Sequence, residues 1–370
     1  MALSDVTVKV NLVTSMGTEP VWFPLFFCAN TSDPKMSKVI EYTECTSLQQ
    51  LAEIISGILE GDNSADRKKK LSEAVSTSLY KNVEHMYMQP SHPSRFAVAS
   101  IGSKSSISDV KAALEPYLDR SWRQLVMVGG FSDTLYMALA EYIENLEQRK
   151  LLFFESGSSS IKPVTDSETS KEHSLTDYKR TIAVYHPMCG ANYPVASVIG
   201  AVSGRIPGSI NYRNMIIEGV PPVALTEEEL EALHNKGFMT LVERAGDVVT
   251  SQGKSASGER YIDTIDIEDY VVQQLVYVSQ KALNVNDVVP YNSDGISILE
   301  NAAVSVMLDC CNKGMIARTD TNTYIYDVNY PDMPFVSDED IKSRTYKLGT
   351  VSFTVQGSVD REEITVNMTL

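Results

Sequence analysis

The most regular patterning in the chain lies at its two ends. Val6, Val8, Val10 and Leu12 alternate with Thr7, Lys9 and Asn11, and Ile364, Val366, Met368 and Leu370 alternate with Thr365, Asn367 and Thr369. Period-two alternation predicts strands with one apolar face. Chain ends usually fray, and an apolar-faced strand needs a sheet to pair with. Each strand therefore either joins a sheet of its own chain or is donated to another chain, the β-augmentation mode. Thr14-Ser-Met-Gly-Thr-Glu-Pro breaks the first pattern and reads as a joint. Asp360-Arg-Glu-Glu is a charged turn before the second.

Between the ends the pattern becomes β/α. Val21 to Cys28 is nearly all apolar, which predicts a central strand. Leu48, Leu51, Ile54, Ile55 and Ile58 carry helical spacing over Ser47 to Leu59, and one further helix is predicted over Ala65 to Asn82. After a break at Pro90 to Pro93, strands at Phe96–Ile101, Gln124–Val128, Leu151–Glu155 and Thr181–His186 alternate with helices at Ser108–Leu118, Thr134–Glu147 and Pro194–Val202. Such alternation implies a mostly parallel sheet covered on both faces. Gly157 to Ser174 is Ser-rich and polar, a surface loop. Arg205-Ile-Pro-Gly-Ser marks a domain boundary.

The next block opens on Glu218-Gly-Val-Pro-Pro-Val, whose prolines forbid a helix. Thr226 and Glu229 then have capping-box spacing, Leu230 and Leu233 share a face, and Gly237 stops the helix. A strand is predicted at Phe238–Val242, followed by a polar hairpin over Gly246 to Gly258. A second helix follows Tyr261-Ile-Asp. Its first turn is acidic (Asp266, Glu268, Asp269), which suits a helix N-terminus, and Val271, Val272, Leu275, Val278 and Ala282 form its stripe. A third helix spans Ile296 to Lys313 and ends at Gly314. Its inner face is Ile296, Leu299, Ala303, Val306 and Cys310; the opposite side carries Glu300, Asn301, Ser305, Asp309, Asn312 and Lys313. Strands are predicted at Thr323–Val328 and Leu348–Val355.

At 370 residues, 43% apolar and 22% charged, the chain has an ordinary globular balance and room for two domains. The net charge of −16 argues against general nucleic-acid or anionic-membrane binding, which needs a basic surface. It also means that a crowded homopolymer of such chains must meet through apolar or locally charge-matched contacts. Cys28, Cys45, Cys189, Cys310 and Cys311 form no CxxC, and a disulfide between the adjacent Cys310 and Cys311 would be strained. A reducing compartment is expected. The opening residues carry no basic-then-apolar signal pattern, and no apolar run reaches the roughly 20 residues of a membrane helix.

Candidate chemistry is sparse. Val126-Met-Val-Gly-Gly-Phe-Ser-Asp sits at a strand-to-helix turn, either as a phosphate cradle or as a tight turn with Ser132 or Asp133 capping the helix. It has neither Walker spacing nor a third glycine. His85, His92, His173, His186 and His234 show no HxH or HExxH spacing, so no metal site is expected. His186 with Cys189 is the one conceivable nucleophile pair, with no orienting third group indicated. An α/β enzyme binding a small molecule or nucleotide near Gly129-Gly130 and His186 is the alternative reading, because parallel strands bind ligands at their carboxyl ends.

Gly219-Val-Pro-Pro, Leu225-Thr-Glu-Glu-Glu, Gly258-Glu-Arg-Tyr-Ile-Asp, Val289-Pro-Tyr-Asn-Ser-Asp-Gly and the helix closing at Lys313-Gly-Met-Ile, in that order and spacing, resemble contractile-tail sheath proteins of myophages, R-type bacteriocins and contractile injection systems. The likeness covers the last half of the chain well and the first half in outline. It implies an α/β fold (α+β overall): an N-terminal arm over 1–20, an outer β/α layered domain over 21–204, an inner α+β polymerisation domain over 205–357 and a C-terminal arm strand over 358–370. It implies a structural role without enzyme activity or cofactor. Subunits would polymerise around a rigid tube in an extended, metastable state and contract to drive the tube through a target envelope. Arms from different subunits would complete the inner-domain sheet of a third, giving Val6, Val8, Val10 and Leu12, and Ile364, Val366, Met368 and Leu370, their partners. The implied partners are the chain itself, a tail tube protein, and baseplate and tail-terminator proteins, with no nucleic acid and no membrane. The implied location is the bacterial host cytoplasm during assembly, then the virion or released particle. The tube would be met through an inner-domain helix, for which Glu300, Asn301, Ser305, Asp309 and Lys313 are the candidates.

Overall fold

The computed structural model describes residues 22–29, 36, 38–59, 67–102, 106–129, 131–157 and 175–360. Among these, one compact unit comprises residues up to Arg205 together with Tyr212–Ile262; the other comprises Ile206–Asn211 and the residues from Asp263 onward. Both terminal strand predictions, 6–12 and 364–370, lie outside the described residues, as do Gly130 and most of the Ser-rich loop.

The first unit is built on a seven-stranded sheet. Its strands are β1 (Pro24–Ala29), β2 (Thr43–Cys45), β3 (Phe96–Ile101), β4 (Gln124–Val128), β5 (Leu151–Ser156), β6 (Thr181–Tyr185) and β7 (Phe238–Met239), in the order β2-β3-β1-β4-β5-β6-β7. Every pairing is parallel except that of β2 with β3. The central strands β1, β3, β4 and β6 are buried along their whole length. That is why they read as continuous apolar runs rather than alternations. Helices α1 (Leu48–Ile58), α2 (Arg67–Ala74), α3 (Ser78–Tyr87), α4 (Ile107–Leu114), α5 (Asp133–Glu144), α6 (Cys189–Asn192), α7 (Pro194–Val202) and α8 (Glu227–Asn235) surround it. Phe27, Leu125, Met127, Leu139, Ile143 and Phe154 are at the centre of one core face.

Three local expectations change. The single helix expected over 65–82 is two helices, because Thr77 is extended and its side chain accepts from the Tyr80 amide, capping α3 afresh. Helical spacing runs through this point, so periodicity alone hides the break. The helix expected over 108–118 ends at Leu114 and tightens into a 3-10 turn at Pro116. The strand expected over 238–242 is split at Thr240. Its first half is β7, and its second half, β8 (Leu241–Arg244), pairs antiparallel with β9 (Asp247–Thr250). Because β7 extends the parallel sheet, the first unit runs past the boundary expected at residue 204 and takes in 212–262.

The second unit holds two long helices, α9 (Ile262–Val285) and α10 (Ser293–Asn312), a short α11 (Asp338–Ser343), and a two-stranded antiparallel ribbon of β10 (Tyr326–Asn329) and β11 (Thr350–Phe353). Ile265, Ile267, Tyr270, Val271 and Leu275 of α9 and Ile296, Ala303, Val306, Met307 and Cys310 of α10 are its core. Asn292 caps α10 by accepting from the Gly295 amide, starting the helix one turn earlier than expected.

Candidate functional site

Val351 and Phe353 of β11 are buried, whereas Asp327 and Asn329 of β10 are exposed, so the ribbon has a packed face and a wet face. At one end residues 315–318 join it: the Ala317 amide donates to the Thr354 carbonyl at 2.8 Å, and the Ile325 amide donates to the Ala317 carbonyl at 2.9 Å. Among the described residues no further strand runs beside either edge of β10–β11. A two-stranded ribbon is marginal alone, and its edges are templates for added strands.

The last described residues are anchored. The Ser358 hydroxyl donates to Asp263 at 3.4 Å, and the Asn211 amide donates to Asp360 at 2.5 Å. Burial and the neighbouring carboxylates Asp266 and Asp360 raise the Asp263 pKa, opposed by the Thr264 amide and Ser358. The chain thus reaches residue 360 along the first turn of α9.

The five candidate residues on α10 divide into two sets. Asn301 and Ser305 are exposed, and with Ser297, Leu308 and Asn312 they form one stripe along the helix. Leu308 is 50% exposed within it. Glu300, Asp309 and Lys313 are half-buried. Lys313 Nζ lies 2.5 Å from Asp309 Oδ2 and donates to the Tyr270 hydroxyl at 2.6 Å. Asp309 and Lys313 therefore pin α10 to α9. Sequence spacing placed all five on one polar side; it could not show that two of them reach back to a tyrosine 39 and 43 positions earlier.

The alternative site resolves differently. His186 is buried; its Nδ1 accepts from the Met188 amide at 3.1 Å and its Nε2 lies 3.1 Å from the Pro221 carbonyl oxygen. With Nδ1 accepting, Nε2 carries the proton and donates, so the neutral imidazole is satisfied on both sides and burial lowers its pKa. Burial, then Glu155, pushes the Cys189 thiol up, away from a thiolate. The pair has no free base and no activated nucleophile. Ser132 caps α5 by accepting from the Leu135 amide, as the turn reading expected. Gly129 stands at φ 68°, the left-handed turn that glycine permits.

No pattern along the chain singles out Glu155. It lies at the end of β5, accepts from the Val195 amide in the first turn of α7 at 3.2 Å, and burial pushes its pKa up to about 8. A carboxyl bound more tightly to its proton when folded stabilises below its unfolded pKa and loses that contribution as pH rises toward the folded value. Glu155→Gln keeps an acceptor for Val195 without the charge. The variant and parent should melt alike near pH 4.5, and the variant should gain on the order of 3 kcal/mol by pH 8.5. Thermal melts across that range measure the divergence; parallel curves would contradict it.

Compared with solved structures, the chain resembles one from the anti-feeding prophage helical sheath in its contracted state, at TM-score 0.64 and 14% identity, covering 100% of this chain and 99% of that one. The chain has the fold of contractile-sheath proteins. It also resembles a chain of the anti-feeding prophage baseplate, at TM-score 0.67 and 14% identity over 100% of both chains. A third match is a sheath chain of the extracellular contractile injection system PVC, contracted state, at TM-score 0.64 and 12% identity over 100% and 99%. No protein-family model matches the sequence, and no curated protein matches it. The likeness therefore also takes in the half where the sequence motifs are faint.

Proposed function

We propose that this chain is the structural subunit of a contractile sheath. The observation that carries this reading is the end-to-end likeness of a 370-residue chain to sheath and baseplate chains. The subunit polymerises by donating its terminal strands, 6–12 and 364–370, to open ribbon edges such as those of β10–β11 in neighbouring copies. No cofactor takes part; the work of contraction comes from the difference between two packings of one sequence. The inner partner is a tail tube protein, and the ends of the polymer meet baseplate and tail-terminator proteins. Assembly takes place in the bacterial host cytoplasm, before the particle is released. Negative-stain imaging of the purified chain should show rings or hollow tubes; a monodisperse monomer under all ionic conditions would remove the reading.

The tube contact in this reading is the exposed stripe of α10, with Asn301 and Ser305 at its centre. Asp309 and Lys313 hold the helix to α9 and Glu300 lies at the stripe's margin. Asn301→Lys with Ser305→Lys should leave polymerisation of the chain alone intact and prevent extended assembly on tubes. Normal assembly on tubes by this variant would exclude the stripe.

A further inference from the structure

A chain of net charge −16 that packs against copies of itself must hide or match that charge where copies meet. The densest run of positive charge in the sequence lies in the first unit. Helix α2 reads Arg-Lys-Lys-Lys-Leu-Ser-Glu-Ala over Arg67–Ala74. Lys68, Lys69 and Ser72 are exposed on one side, while Leu71 and Ala74 turn inward on the other. Lys68 and Lys69 make no ion pair with any described residue. A helix this short and polar has little stability of its own, so a contact that uses the ridge also stabilises the helix.

The complementary surface lies at the far edge of the same sheet. Glu227, Glu228 and Glu231 share the exposed face of α8, opposite the buried Leu233. Glu229 alone is occupied, closing the capping box with Thr226. The other three carboxylates have no cationic partner among the described residues.

The sheet keeps these two surfaces apart. Helix α2 packs on α1, which is tied to the β2 edge by Gln50, whose side chain donates to the Glu44 carbonyl at 3.3 Å. Helix α8 packs against β7, the opposite edge. Six inter-strand spacings separate the edges, about 29 Å. Beyond two Debye lengths at physiological salt, the ridge and the acidic face do not neutralise each other within one copy.

We propose that the α2 ridge of one copy docks on the α8 acidic face of the next, Lys68 and Lys69 against Glu227, Glu228 and Glu231. The contact joins two different patches, so repeating it builds rings or helices rather than stopping at a pair. Each exposed ion pair is weak, but the contact recurs at every copy and adds to the strand exchange. The inference rests on the polymer reading and names the surface that reading leaves unassigned.

Charge reversal tests it in the full-length chain. Lys68→Glu with Lys69→Glu, and separately Glu227→Lys with Glu228→Lys, should each raise the concentration needed for polymerisation about tenfold, because like charges then face each other. The fourfold variant carrying both reversals should regain the parent's threshold, which also shows that the helices still fold. Raising salt should weaken the parent and relieve the reversed variants. If the parent polymerises and both double variants match it, or if the fourfold variant stays defective, the α2–α8 contact is wrong while the sheath reading stands. If the parent forms no polymer at all, the sheath reading falls and takes the contact with it.

Discussion

Deleting residues 1–13 is expected to leave a folded, monomeric protein that forms neither rings nor tubes. The reason begins with the alternation of Val6, Val8, Val10 and Leu12, followed by a seven-residue joint, 14–20, that has no periodicity. A strand on such a joint reaches another chain without disturbing its own unit. Among the described residues the ribbon β10–β11 has no strand running beside either edge. On the donated-strand proposal the deletion removes a covalently continuous link at every copy, so assembly should fall to background rather than by a fraction. Circular dichroism and melting should stay those of the parent. Ordered tubes from the truncated chain would refute donation at this end; global unfolding would assign the strand to its own fold.

The second large effect concerns the packing of the first unit. Helix α7 is buried on every side, from Pro194 to Val202. A methyl group at Gly200 would stand 2.2 Å from the Met86 carbonyl oxygen, in the last turn of α3, and one at Gly204 would stand 2.1 Å from the Ser91 carbonyl oxygen. Both obstacles are backbone, so neither moves aside cheaply. Glycine in a helix costs about 1 kcal/mol relative to alanine, and here that cost permits the close approach of α7 to α3. Gly200→Val should destabilise the first unit by about 3 kcal/mol, a melting shift of roughly 6–12 °C for a unit of this size. An unchanged melting temperature would show that α7 sits further from α3. The exposed Ser297→Val on α10, by contrast, should shift melting by less than about 2 °C.

Several elements were legible because their chemistry is local. The Thr226–Glu229 capping box formed as spaced, with both reciprocal hydrogen bonds present. The strands Phe96–Ile101 and Gln124–Val128 and the helix Pro194–Val202 fell at the bounds their patterns gave. Helix α11 has no hydrophobic periodicity to announce it: it is less than two turns of mostly polar residues, opened by Ser337 accepting from the Asp340 amide.

The sequence by itself determined most of the strands and helices of the first part and that these form a covered, mostly parallel sheet. These follow from apolar spacing and caps, which act over a few residues. Only the tertiary structure decided the strand order, and with it the placing of 212–262 in the first unit. It also divided one five-residue apolar run at Thr240, whose hydroxyl donates to the Tyr185 carbonyl at 2.8 Å and whose amide donates to Ser251 at 3.0 Å. Likewise it turned Asp309 and Lys313 from a polar surface into a clamp on Tyr270, and left Asn301 and Ser305 exposed. The reason is the same each time. A pattern of hydrophobicity says which side of an element seeks cover, but the groups that supply the cover lie tens of residues away, and nothing in the local spacing encodes which of them arrives.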